Sequence, residues 1–142
     1  MDFALRHQGW GLAAGLVWFV AYWTLLIVRA ATDDVPFTQV AWQHPMLWFL
    51  LAGVIVYAAI YAASWWSTRG GIRTDVRDAE IRSRSDAVGT GFTAMGAVVA
   101  LAMLAFGVGT FWVAHTIFFA SFLGTLASTA QTVAAYKDGL DR

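Results

Sequence analysis

Cysteine is absent from this chain of 142 residues, and proline occurs only twice. Without cysteine the chain has no disulfide, thiolate zinc site, iron–sulfur cluster or cysteine nucleophile. Charge is also scarce, because Asp, Glu, Lys and Arg make up 13% of the residues, about half the usual share in a soluble domain. So few charges could not cover the surface of a soluble globule. A formal net charge of zero also excludes nucleic-acid binding driven by global charge.

Hydrophobic residues make up 59% of the chain, which indicates an integral membrane protein. Four apolar segments each approach the roughly 20 residues that cross a bilayer as a helix. They lie at about 10–28, 46–66, 89–109 and 112–136. Glycines between the last two segments predict a tight turn. We therefore expect an all-α fold, in which residues 1–142 form a single transmembrane domain, an antiparallel four-helix bundle.

Basic residues are distributed unequally across such a bundle. With four spans, the N-terminus, the 67–88 connector and the C-terminus share one side. That side carries eight of the nine Lys and Arg residues, and only Arg29 lies opposite. Because cytoplasmic loops are enriched in Lys and Arg, both termini and the connector are expected to face the cytoplasm.

The 67–88 connector contains five arginines and four acidic residues. Opposite charges recur at i,i+4 spacing, as Asp78–Arg82, Glu80–Arg84 and Arg82–Asp86, which favours a charged helix that runs into the third span. This helix can be a solvated extension, a docking surface for a cytoplasmic protein, or a contact for anionic lipid headgroups. For docking, the candidate partner-binding residues are Asp75, Arg77, Asp78, Arg82 and Arg84.

Part of the connector resembles a known pattern, the D-E-R-D-x-x-I-x-x-[KR] stretch of small uncharacterised bacterial four-span membrane proteins of the DUF2178 type. The matching residues are Asp75, Arg77, Asp78, Ile81 and Arg84. In that family the motif similarly lies between the second and third spans, and Val76 here replaces the usual glutamate. The resemblance implies a protein of the bacterial inner membrane that acts with a regulatory partner.

The fourth segment is the most polar of the four. Its hydroxyl residues recur at helical spacing, with the single intramembrane histidine nearer the outer surface, and the set is His115, Ser121, Thr125, Ser128 and Thr132. Small and hydroxyl residues let helices approach and hydrogen-bond, within the bundle or between protomers. The alternative is a polar path for a solute or ion. A titratable group inside a membrane is a candidate functional residue, so two roles remain open for His115, one in helix packing and one in such a path.

Enzyme signatures such as G-x-S-x-G, H-E-x-x-H and the P-loop are absent, so no catalytic residues are predicted. Asp33, Asp34 and His44 in the outer loop lack the fixed spacing of metal ligands, and we predict neither a metal nor a cofactor. The expected function is that of a sensor, regulatory or assembly partner acting through the 72–86 helix. The alternative is a small oligomeric channel or transporter that uses the polar face of the fourth span. The expected partners are the lipid bilayer, a cytoplasmic regulatory protein or further copies of the chain.

Overall fold

The computed structural model describes residues 2–67 and 76–138, with the side chains of 12–56, 58–59, 62–63 and 80–136. This part of the chain is helical and contains no strand. Its elements are α1 (Asp2–Asp33), a 3-10 turn (Phe37–Gln39), α2 (Gln43–Ser67), α3 (Val76–Ala105) and α4 (Thr110–Asp138). The all-α prediction is confirmed, and so is the continuous helix predicted from the charged connector into the third apolar segment.

The helices form two compact units. The first contains α3, α4 and the part of α1 up to Phe19, and the second contains residues 20–75. The first, second and fourth predicted apolar segments each lie within one helix. The third segment was predicted to reach residue 109, but α3 ends at Ala105.

A tight turn joins α3 to α4 in the first unit. Gly107 has a φ of 72°, a left-handed conformation that glycine adopts without a Cβ clash. The Val108 N–H donates to the Met103 carbonyl at 2.9 Å, and the Gly107 N–H donates to the Leu104 carbonyl at 3.0 Å. These two bonds are the Schellman ending of a helix. The predicted turn between the third and fourth segments is therefore confirmed.

Helices α3 and α4 run antiparallel and pack closely against each other. The paired positions are, from the turn outward, Met103 with Thr116, Gly96 with Ala120, and Gly89 with Gly124. Residue numbers fall along α3 as they rise along α4, which defines an antiparallel hairpin. Residues 81–103 rise by about 33 Å at about 1.5 Å per residue, close to the roughly 30 Å hydrocarbon core of a bilayer.

Aromatic packing holds α1 to α4 within the first unit. The ring of Phe19 stacks on Phe122 with centroids 4.0 Å apart and on Phe118 at 5.7 Å, each with an interplanar angle of 9°. Phe118 and Phe122 are one helical turn apart, so one side chain of α1 spans a full turn of α4.

In the second unit, α1 continues from residue 20 and pairs with α2. Tyr22 and Leu26 are fully buried, and the Tyr22 ring meets Phe49 edge-on at 5.4 Å. Nearer the loop, Arg29 Nη1 donates to the Ala41 carbonyl at 3.4 Å. The first contact joins α1 to α2, and the second joins α1 to the loop that precedes α2, so the chain reverses direction between Arg29 and Phe49. Arg29, the one basic residue predicted on the outer side, thus ties the end of α1 to the loop.

Three of the helices are long and apolar enough to cross a membrane, on the basis of length and composition. The segments are Leu12–Asp33, Glu80–Ala105 and Thr110–Tyr136. The described apolar part of α2, Gln43–Val56, is shorter. Only 11% of the apolar windows of α1 and α3 is buried within the structure, so most of their apolar side chains face outward. Such a surface suits a lipid environment.

Candidate functional site

The contact between α3 and α4 is close because both helices lack bulk at the crossing. A Cβ added at Gly124 would lie 2.5 Å from the Gly89 carbonyl oxygen, and one added at Gly89 would lie 3.0 Å from the Gly124 oxygen. The two backbones therefore touch directly, without side chains between them. Close approach of this kind is how helices gain packing energy in a membrane. It fixes the register in which the polar ends of the two helices meet.

A cavity opens between the helices at the charged end of the hairpin, beyond the glycine contacts. It has a volume of about 260 Å³ and is lined by Glu80, Ile81 and Arg84 of α3 and by Gln131 and Ala135 of α4. We term it the hairpin cleft. Ala135 contributes only a methyl group to the lining. The cleft combines one cation, one anion and one amide with two apolar side chains.

An ion pair forms one wall of the hairpin cleft. Arg84 Nη2 donates to Glu80 Oε1 at 2.8 Å, which confirms one of the predicted i,i+4 pairs. Both side chains are mostly exposed, so the pair contributes only about 0.3–0.5 kcal/mol to stability. The contact uses one guanidinium N–H and one carboxylate oxygen. The other donors of Arg84 and the second oxygen of Glu80 keep their capacity to bind a ligand.

Buried polar groups lie next to the cleft along the hairpin. Ser85 follows Ile81 by one turn, is 1% exposed, and its hydroxyl has no hydrogen-bond partner. Thr132 is also buried, and its hydroxyl donates to the Ser128 carbonyl at 3.0 Å. An unpaired buried hydroxyl costs about 1–3 kcal/mol. Ser85 was not predicted as a site residue, although it lies i−4 from Gly89 and thus on the face that packs against α4.

The opposite side of α3 carries a second charged surface. Arg82 and Asp86 are exposed, and each lies two residues, or about 200° of helix rotation, from Arg84 of the cleft. The predicted Arg82–Asp86 pair is not formed between these two described side chains. Both side chains are exposed, and an exposed pair at this spacing gains only a few tenths of a kcal/mol. The predicted Asp78–Arg82 pair lies outside the described side chains. We term Arg82 and Asp86 the outer charged face.

The five candidate partner-binding residues are therefore divided by the helix. Arg84 lines the hairpin cleft and Arg82 lies on the outer charged face. Asp75 lies outside the described residues. Arg77 and Asp78 belong to the first turn of α3, and their side chains are outside the described part of the chain.

The hydroxyl residues of α4 divide in a similar way. A Cβ at Gly89 would lie 3.1 Å from Ser128 Cβ, so Ser128 faces α3, and Thr132 is buried one turn further on. Thr125 is exposed and donates to the Ser121 carbonyl at 3.1 Å. Threonine hydroxyls on both sides thus donate to carbonyls within their own helix, a common arrangement in apolar surroundings.

His115 is held by its own helix near the turn of the hairpin. The side chain is 4% exposed, and Nδ1 lies 2.6 Å from the Phe111 carbonyl. Since a carbonyl only accepts, Nδ1 carries the proton and donates. The imidazole also stacks on the Phe111 ring, with centroids 4.1 Å apart. His115 is therefore packed against Phe111 about one turn into α4, at the opposite end of the hairpin from the cleft.

Comparison with known proteins adds no family or fold. The chain matches no protein-family model, no curated protein and no solved structure.

Proposed function

We propose that this chain is a non-catalytic protein of a bacterial inner membrane that acts as a sensor, regulatory or assembly partner. In this proposal the four helices form an antiparallel four-span bundle. The termini and the charged start of α3 face the cytoplasm. A cytoplasmic protein docks on the charged start of α3, within the 72–86 segment. The outward apolar surface of α1, α3 and α4 supports the membrane placement.

The observation that carries the docking proposal is the continuity of α3. One uninterrupted helix runs from Val76 to Ala105, and its charged first part is joined rigidly to the part that packs on α4. The outer charged face presents Arg82 and Asp86 to solvent. A displacement of the charged end by a partner would therefore move the membrane-embedded hairpin, and the reverse also holds.

The channel alternative receives no comparable support. Thr125, Thr129 and Thr132 each donate to the carbonyl four residues earlier in α4, so these donors are already used within the helix. Ser128 faces α3 at a close helix contact and Thr132 is buried, so neither presents a polar stripe to a path. We therefore put forward only the docking function.

Photo-crosslinking in cells tests the docking function. A crosslinking amino acid replaces the exposed Ser83, next to Arg82, and a matched one replaces Leu101 on the exposed apolar surface of α3. We expect a discrete protein adduct from position 83 and none from position 101. The adduct should persist with Arg82→Lys and disappear with Arg82→Glu. No adduct at 83, or one that Arg82→Glu leaves unchanged, refutes the proposal.

Cysteine labelling tests the orientation, because the chain has no native cysteine. Ser83→Cys and Thr38→Cys are both exposed positions, one on α3 and one in the loop after α1. A membrane-impermeant maleimide should label position 38 in intact cells from the periplasm and position 83 only after the inner membrane is permeabilised. The reverse pattern overturns the topology.

A further inference from the structure

We propose that the hairpin cleft binds the phosphoethanolamine headgroup of a membrane phospholipid. This inference rests on the membrane placement of the hairpin and not on the docking function. The cleft and the outer charged face lie on opposite sides of α3, so each site is tested with its own residues.

The polar lining of the cleft fits a zwitterion. The Arg84 guanidinium has donors left for a phosphate, and Glu80 Oε2 can accept from a primary ammonium group. The lining charge sums to zero, which favours a ligand with one charge of each sign. The Gln131 amide can bond to either group. An anionic headgroup without an amine would place uncompensated negative charge beside Glu80.

The size and depth of the cleft fit a headgroup better than an acyl chain. Its volume of about 260 Å³ is below the roughly 300–1,000 Å³ of pockets that enclose drug-sized ligands. Asp86 is the last charged residue before the uncharged run of α3, and the cleft lies just beyond it, at the level where headgroups meet the hydrocarbon core. Ile81 and Ala135 can cover the apolar parts of the ligand.

Hydrogen bonding to Glu80 predicts which headgroup is selected. A primary ammonium donates N–H bonds to the carboxylate, whereas the quaternary ammonium of phosphocholine has no N–H to donate. The two headgroups carry the same charges, so they differ mainly in this bond and in size. A bond to a charged group contributes enough to change affinity by about tenfold.

Native mass spectrometry of the full chain in detergent tests the proposal. Phosphatidylethanolamine, phosphatidylcholine and phosphatidylglycerol with identical acyl chains are added in equal amounts, and retained lipid is measured. We expect the ethanolamine lipid to be retained about tenfold over the choline lipid. Glu80→Gln should lower its retention to the choline level. Arg84→Gln, which removes the phosphate contact that both lipids share, should lower the retention of both lipids by a similar factor. Ala135→Leu, which fills the cleft without changing charge, should also lower the retention of the ethanolamine lipid.

Matched variants on the outer charged face supply the control. Arg82→Gln and Asp86→Asn make the same charge changes on the opposite side of α3 and should leave the retention ratio unchanged. Equal retention of the ethanolamine and choline lipids by the wild type, or an equal loss with Arg82→Gln, overturns the proposal. Soluble glycerophosphoethanolamine should compete only at large excess. Competition at the concentration of the lipid overturns the lipid as the source of the headgroup.

Discussion

Adding one methyl group at Gly96 tests whether close helix contact holds the α3–α4 hairpin together. A Cβ at this position would overlap the Ala120 methyl group of α4. Gly91, in the same helix, has no atom within 4 Å of such a Cβ. Gly96→Ala and Gly91→Ala are therefore the same chemical change, and only one of them lies at the contact.

The difference between the two variants isolates the packing energy. Replacing a helical glycine with alanine favours the helix by about 1 kcal/mol at either position. Overpacking at Gly96 opposes this gain by about 1–3 kcal/mol, because two methyl groups on adjoining helices must move apart. We expect Gly91→Ala to raise the free energy of unfolding by up to about 1 kcal/mol and Gly96→Ala to lower it by about 0–2 kcal/mol.

Unfolding of the purified chain in mixed micelles by sodium dodecyl sulfate, followed by tryptophan fluorescence, measures both free energies. The double variant Gly96→Ala with Ala120→Gly moves the methyl group from one helix to the other and should recover most of the loss. If Gly96→Ala matches Gly91→Ala, or if Ala120→Gly gives no recovery, the helices do not meet at this contact.

Two further substitutions test local features of the hairpin. Gly107→Ala forces a Cβ into the left-handed turn and should lower the free energy of unfolding by about 1–2 kcal/mol, while Gly107→Asn should cost less; equal losses would show that the conformation is unimportant. Ser85→Ala removes a buried hydroxyl without a partner and should be neutral or stabilising by about 1 kcal/mol. Thr132→Val, which removes a paired hydroxyl of similar burial, should instead destabilise by about 1 kcal/mol in the same titration, and a reversed order would contradict the assignment.

Local features of the hairpin were predictable from sequence because nearby residues determine them. A glycine pair between two apolar runs predicts the turn, and Gly107 forms it. Charges at i,i+4 spacing predict a helix at the start of α3 and the Glu80–Arg84 contact. In each case the signal and the structure lie within a few residues of each other, so no knowledge of the partner helix is needed.

The side of α4 that packs against α3 could not be predicted in the same way. Ser121, Thr125, Ser128 and Thr132 recur on one side of a helical projection, yet Ser128 faces α3 while Thr125 is exposed. The rotation follows from the backbone contact at Gly124, which a hydroxyl pattern does not encode. Because threonine hydroxyls can donate to carbonyls of their own helix, they do not need a hydrogen-bond partner on a neighbouring helix. The hairpin cleft depends on that rotation and was likewise missed.

The charged residues of α3 keep a fixed rotational position relative to the face of α3 that packs on α4. Gly89 lies on the face of α3 that contacts α4. Ile81 and Ser85 lie on the same face and extend it toward the charged end of the helix. That rotational position is what directs Glu80 and Arg84 to the hairpin cleft, since side chains four residues apart share a face. A change of this position should therefore abolish the cleft while leaving the helix and its ion pair in place.

A single alanine inserted after Asp86 makes this change, because it rotates the preceding residues by about 100° relative to α4. We expect the variant to keep the helical signal of the wild type and to retain ethanolamine and choline lipids equally. An alanine inserted between Val76 and Arg77 precedes the residues of the cleft, leaves their phase unchanged and should keep the wild-type ratio. If the insertion after Asp86 also keeps that ratio, lipid selection does not depend on where α3 points its charges, and the cleft cannot be the headgroup site.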